Sequence, residues 1–188
     1  MNNKNNKEKK IAFLVMRLQP QHTGHTNLIY RAMMENDLVI LLLGSSQEKR
    51  TKRNPLSTPE KISLLKQTFG ISSKLKVLSI RDIGAASKKE WTEHVFKTIK
   101  KSDLEQPTRY YAGDEVNGSF YKDAYNLNNK KIEVIIQDRL KSGLMSGSDI
   151  RNSIYNGCDS WKKHVPECII DMIEEIYPKE LINPYIEK

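Results

Sequence analysis

The chain has 188 residues, room for one compact domain with a substantial core, and 38% hydrophobic against 29% charged residues fits a soluble globular protein. Its formal charge of +8 suits a nucleic-acid binder or an enzyme that attracts phosphorylated substrates, and part of that charge lies in the polar residues 1–10, which read as a disordered basic tail. No secretory signal, membrane span or disulfide framework is legible. The apolar run Ile11–Met16 is short and meets Arg17, the aliphatic run Leu38–Leu43 is too short for a bilayer, and Cys158 and Cys168 make no C-x-x-C. The expectation is a cytoplasmic protein whose two cysteines are small buried apolar residues.

Ile11–Met16 runs into Arg17-Leu18-Gln19-Pro20-Gln21-His22-Thr23-Gly24-His25, the pattern of a buried strand feeding a helix. Pro20 stiffens the turn, and Gly24 lets the backbone approach a ligand. With a helix beginning near Thr23, His22 and His25 project from one side of its first turn, where two imidazoles and the helix dipole suit a triphosphate. The alternatives are ordinary surface histidines or a metal site, for which no third and fourth ligand lies close in sequence. Leu28, Ile29, Ala32 and Met33 carry the helix to Asn36, and residues 37–44 read as a strand buried on both faces.

Residues 45–55 have no periodicity and four basic side chains, and read as a mobile loop at the ligand edge or as a solvated basic segment. Thr58 is the expected N-cap of the next helix, with Ile62, Leu64, Leu65 and Phe69 on its apolar face and Gly70 at its end. Residues 75–80 form the third strand, which Arg81-Asp82-Ile83 leaves at the ligand edge. Residues 87–101 form a helix with Trp91, Val95, Thr98 and Ile99 on one side, and a Trp in such a stripe is ordinarily core. Residues 108–112 are the fourth strand; Gly113-Asp114 turns out of it, and Asp114 suits either a ribose diol or a simple turn.

Phe120, Tyr121, Ala124 and Tyr125 suggest a short helix, and residues 132–136 a fifth strand. A loop over 137–147 then leads to Ser148, the expected N-cap of a helix that Gly157 stops. Its free N–H groups with Ser148 and Arg151 make an anion site, or merely a capped surface helix. Trp161, Val165, Cys168, Ile169, Met172, Ile173 and Ile176 form a closing helical cover in which His164 is structural. The alternation predicts an α/β fold: a Rossmann-like, doubly wound, five-stranded parallel sheet with a C-terminal helical cover, in a single domain over 11–188.

The segment His22-Thr23-Gly24-His25 resembles the HxGH signature of the nucleotidylyltransferase superfamily, and Arg17-Leu18-Gln19-Pro20 is most like the archaeal type of nicotinamide mononucleotide adenylyltransferase. Met145-Ser146-Gly147-Ser148-Asp149-Ile150-Arg151 resembles the family's ISGTxxR, with Ser148 for Thr, while Met16 stands where the family usually has Gly. Gly44-Ser45-Ser46-Gln47 and Arg53-Asn54-Pro55-Leu56 resemble the Gly-Ser-x-Gln and Arg-Asp-Pro-Phe of the archaeal enzymes.

The resemblance covers roughly residues 11–176 and implies transfer of AMP from ATP to nicotinamide mononucleotide, giving NAD and pyrophosphate, with Mg2+ arriving on ATP. It implies catalytic roles for His22, His25 and Arg151, and ATP binding by Arg17, Gln19, Gly24, Gly113, Asp114, Ser146, Gly147 and Ser148. Arg53, Asp82, Ile83 and Trp91 would bind the acceptor. Trp91 would stack on the nicotinamide ring, although its distance from Asp82-Ile83 is longer than the family pattern and the Asn usually found between them is absent. A homo-oligomer is expected, and no membrane or nucleic-acid partner. Three rivals stand beside this reading: the same chemistry on a flavin, pantetheine or polyol phosphate, a nucleotide-sensing module without turnover, and a basic nucleic-acid binder lacking an aromatic platform.

Overall fold

The computed structural model describes residues 9–85, 87–114, 118–119, 122, 132–137 and 145–182. Strand β1 (Ile11–Met16), helix α1 (Thr23–Glu35) and strand β2 (Leu38–Leu43) come first, followed by α2 (Thr58–Phe69), β3 (Leu75–Ser79) and α3 (Lys88–Lys101). Strands β4 (Arg109–Ala112) and β5 (Glu133–Ile136) precede α4 (Gly147–Tyr155), two 3-10 turns and α5 (Ile170–Ile176). All strand pairs are parallel, in the order β3-β2-β1-β4-β5. Successive connections run outward from β1 in both directions, so the strand order reverses between β1 and β4. In an open α/β sheet that reversal leaves a crevice at the carboxyl ends of the strands.

The period of two in the central strands sorts the core into two faces. Ile11 and Phe13 of β1 and Leu38, Ile40 and Leu42 of β2 pack with Val95, Phe96 and Ile99 of α3. The intervening Ala12, Leu14, Val39, Leu41 and Leu43 pack with Leu28, Ile29 and Ala32 of α1 and Leu65 of α2. Every residue of β2 is buried, as a central parallel strand covered on both faces requires. A third cluster joins Leu64 of α2, Ile150 and Ile154 of α4, Trp161, Val165, and Ile169 and Ile173 near α5. This is the expected C-terminal cover, built from short turns and a seven-residue helix. Among the described residues no helix is long and apolar enough to cross a membrane.

Several local expectations are corrected. Ser57, not Thr58, caps α2, because Glu60 three residues on accepts from the Ser57 backbone N–H at 2.6 Å. Ser146, not Ser148, caps α4 by the same reciprocity: its hydroxyl accepts from Asp149 N–H at 3.2 Å while its own N–H donates to Asp149 Oδ2 at 3.0 Å. Cys158 and Cys168 are both exposed, one following the helix that Gly157 stops and the other on the outer side of a 3-10 turn. The loop between β2 and α2 is closed by its own contacts: Arg50 bonds the Pro55 carbonyl and Glu60, and Asn54 bonds Thr51 and Glu48. The helix read from Phe120, Tyr121, Ala124 and Tyr125, most of the loop after Gln137, and all but two residues of the basic tail lie outside the described residues.

Leu41 is wholly buried at the centre of β2, so Leu41→Ala leaves a cavity that neither face can close. The expected loss is about 2–5 kcal/mol of unfolding free energy, read as a fall in urea midpoint with unchanged m-value.

Candidate active site

The crevice predicted by the strand order is present. A cleft of about 480 Å³ opens over the carboxyl ends of β1, β2 and β4, between the first turns of α1 and α4. At the two central strand ends the backbone leaves ordinary territory: Leu18 has φ 50° and Ser45 φ 51°. Neither is glycine, and a left-handed conformation in a residue with a side chain costs about 1–2 kcal/mol. Such strain clusters where a turn is shaped for a ligand. Both residues line the cleft.

His22 and His25 are set by the start of α1. His22 is the N-cap, and its Nδ1 accepts the His25 N–H at 3.4 Å. An accepting Nδ1 carries no proton, so the neutral ring holds its proton on Nε2, as a donor. The two rings stack with centroids 3.6 Å apart and planes 28° from parallel. Both line the cleft with Gly24. A first helical turn with two imidazoles beside it has the geometry that suits an anion.

The opposite wall is the first turn of α4. Arg151 lies 132 positions from Gln19, yet its Nη1 donates to the Gln19 carbonyl at 2.8 Å and to the Gly147 carbonyl at 2.9 Å. Its Nη2 donates to Ser148 Oγ at 3.0 Å. Gly147 is close to both motifs: a Cβ added there would lie 3.6 Å from the Gln19 carbonyl oxygen and 4.0 Å from the His22 ring. The residues of the two motifs therefore form one surface, with Ser146, Gly147 and Ser148 all on the cleft wall.

Arg17 and Arg53 complete a cationic cluster. Burial lowers the Arg17 pKa, and the nearby Arg53 charge lowers it further, against partial relief from Asp82 and Glu48. Burial likewise lowers the Arg151 pKa, with Arg17 and then Arg53 adding to the repulsion. Three guanidiniums that repel one another across a cleft form a site waiting for negative charge.

Of the remaining expected site residues, Gly113 and Asp114 line the cleft at the end of β4, and Asp82 lines it after β3. Gln47 holds Asp82 in place, accepting the Asp82 N–H at 3.0 Å and donating to its carboxylate at 3.2 Å. Trp91 packs on the core cluster of β1 and β2 and also lines the cleft. Ile83 is 38% exposed and off the cleft wall, because the backbone turns out after Asp82 toward Gly84 at φ 55°. Gln19 lines the cleft, and its carboxamide donates to the Leu56 carbonyl at 2.7 Å and accepts the Leu56 N–H at 2.8 Å. Gln19 is thus a strut between the histidine turn and the start of α2.

Residues that the sequence reading passed over also belong here. Glu48 and Asn54 line the cleft, and Lys61 is buried behind Gly44. Among the described residues no group of three His, Cys, Asp or Glu is arranged to hold a metal ion.

An anion that bridges the arginines removes their mutual repulsion and so stabilises the fold. Inorganic pyrophosphate at one hundred times its Kd should add about 2.7 kcal/mol of stability, measured as a rise in Tm. With the pyrophosphate concentration held fixed, the increment should shrink with added salt and vanish in Arg151→Ala. No rise with the native sequence would contradict an anion site.

Residues 17–153 match the model of the cytidylyltransferase-like family, a span that begins at Arg17 and ends just after Arg151. The chain is 32% identical over 169 residues to the nicotinamide-nucleotide adenylyltransferase of Picrophilus torridus, covering 88% of this chain and 90% of that one. It is 27% identical over 172 residues to the enzyme of the same name from Archaeoglobus fulgidus, covering 88% and 91%. The crystal structure of a bifunctional NMN adenylyltransferase/ADP ribose pyrophosphatase from Francisella tularensis superposes with a TM-score of 0.70 at 21% identity, covering 85% of this chain and 45% of that one. That likeness is one of fold, and the chain spans less than half the length of the bifunctional protein. The chain belongs to the cytidylyltransferase-like family.

Proposed function

We propose that this protein is a nicotinamide-nucleotide adenylyltransferase, which transfers AMP from ATP to nicotinamide mononucleotide and releases NAD and pyrophosphate. The observation that carries the reading is the convergence of Arg17, Arg53 and Arg151 on a cleft walled by the stacked pair His22 and His25. The relatives from Picrophilus torridus and Archaeoglobus fulgidus bear that enzyme's name and align over nearly all of their length.

The chemistry asks for positioning rather than for a protein nucleophile. An oxygen of the acceptor's 5′-phosphate attacks the α-phosphorus of ATP. A new P–O–P bond forms as the bond from the α-phosphorus to the bridging oxygen breaks, and pyrophosphate leaves with that electron pair. The enzyme must bring two anions together in line and stabilise the charge on the transferring group. His25 is assigned to the α-phosphate, and His22, with its Nε2 proton, to the neighbouring phosphates. Arg151 and Ser148 hold the β- and γ-phosphates at the first turn of α4. Arg17, which the resemblance puts with the ATP ligands, is reassigned with Arg53 to phosphate on the acceptor side because Arg53 and Asp82 are its charged neighbours; Asp114 takes the ribose hydroxyls, and Trp91 offers an indole face to the flat, cationic nicotinamide ring. Magnesium enters as part of the substrate, coordinated by phosphate oxygens and water.

The test is pyrophosphate release with ATP and magnesium, comparing nicotinamide mononucleotide, nicotinic acid mononucleotide, riboflavin phosphate and phosphopantetheine as acceptors. Selective turnover of the first is expected. Turnover confined to another acceptor would overturn the substrate while keeping the reaction, and binding of ATP without turnover of any would replace the enzyme with a sensing module. His25→Ala should lower kcat by about 100-fold or more, the usual loss for a donor to developing charge, with little change in Tm.

A further inference from the structure

Lys61 is a charged residue in a place that water does not reach. It lies in the second turn of α2, is 1% exposed, and its ammonium donates to the Gly44 carbonyl at 3.1 Å. Among the described residues no carboxylate lies within ion-pair distance of it. Its neighbour Glu60 is held by Arg50 and by Ser57. Asp82 is held by Gln47. An ammonium sealed in with one carbonyl and no carboxylate in direct contact is costly to the fold, and such charges cluster at functional sites.

The location says where. Gly44 ends β2 on the cleft wall, its N–H donates to the Met16 carbonyl at 2.8 Å, and a Cβ on it would lie 3.6 Å from the Arg17 side chain. Lys61 therefore fixes the strand edge over which Arg17 passes. We propose that Lys61 is a positioning residue for the acceptor phosphate: it holds the Gly44 edge beneath Arg17 and supplies a water-shielded positive charge to the anion bound between Arg17 and Arg53. The inference rests on the adenylyl-transfer reading and adds to it a residue outside the cleft wall.

Burial lowers the Lys61 pKa to about 8, and of the charged groups facing it, Asp82 after β3 raises the value while Arg17 after β1 lowers it. On its own helix, the Glu60 carboxylate is held below its ordinary pKa by Arg50 and Ser57 and stays ionised. The sign follows. Below about pH 8 the ammonium is charged and the acceptor site is complete; as pH rises through 8 the charge is lost, while the arginines remain cationic and the substrate phosphate stays dianionic.

The experiment measures kcat/KM for nicotinamide mononucleotide at saturating Mg·ATP, and KM for ATP, from about pH 7 to 9.5, with circular dichroism as a folding control. In the native sequence kcat/KM should fall about tenfold per pH unit above 8 while KM for ATP changes less than about twofold. Lys61→Met should lose at least about tenfold at pH 7 and show no further fall, since the titrating group is gone. Lys61→Arg should retain most of the pH 7 value and also show no fall up to about pH 9.5. A native profile without a limb near 8, a limb that persists in Lys61→Met, or equal losses for both substrates would overturn the proposal. If Lys61→Met does not fold, the native profile and Lys61→Arg decide. Absence of turnover in the native protein would overturn the adenylyl-transfer reading, and with it the inference, which separates that failure from one confined to Lys61.

Discussion

The contact on which this structure turns is the hydrogen bond from Arg151 to the Gln19 carbonyl, 2.8 Å long and spanning 132 positions of chain. It ties the first turn of α4 to the turn that follows β1, and neither segment makes a phosphate site alone. Gln19 transmits the constraint further, because its side chain clasps both backbone groups of Leu56 and fixes where α2 begins. The third core cluster has the same function in apolar form: Leu56 and Leu64 pack with Ile150 and Ile154, so α4 cannot leave the cleft without opening a dry interface. The C-terminal cover belongs to the site as much as to the fold.

That frame holds charges which do not favour each other's company. Arg17, Arg53 and Arg151 repel, and Lys61 adds a buried cation behind them. Left-handed backbone at Leu18 and Ser45 adds local strain at the same strand ends. Each of these lowers the stability of the unliganded protein, and an anion in the cleft would offset the repulsion among the arginines. The apolar sheet on both sides of β1 and β2 supplies the stability that such a site draws on.

Much of this was legible in the sequence, for physical reasons that differ from element to element. Residues 11–16 and 38–43 are uninterrupted apolar runs of strand length, which suit a strand covered on both faces, and the histidine turn between them has a Pro, a Gly and a helix after it. The capping serines were misread because adjacent hydroxyls look equivalent; Glu60 and Asp149, three residues beyond Ser57 and Ser146, held the deciding signal. Lys61 was passed over because a lysine in a helix reads as solvent-facing. Its place three and four residues before Leu64 and Leu65, on the buried stripe, was the available clue. The strut formed by Gln19 and the exposure of Ile83 had no local signature, since both depend on where distant backbone passes.

The central claim is that the cleft positions two anions for a single direct transfer, with His22 and His25 as donors rather than nucleophiles. The stereochemical course at the α-phosphorus tests it most directly. With one isomer of ATP carrying sulfur on the α-phosphate and nicotinamide mononucleotide as acceptor, a single in-line displacement predicts inversion at that phosphorus in the dinucleotide product. Retention would mean two displacements through an adenylylated side chain, and would contradict the account.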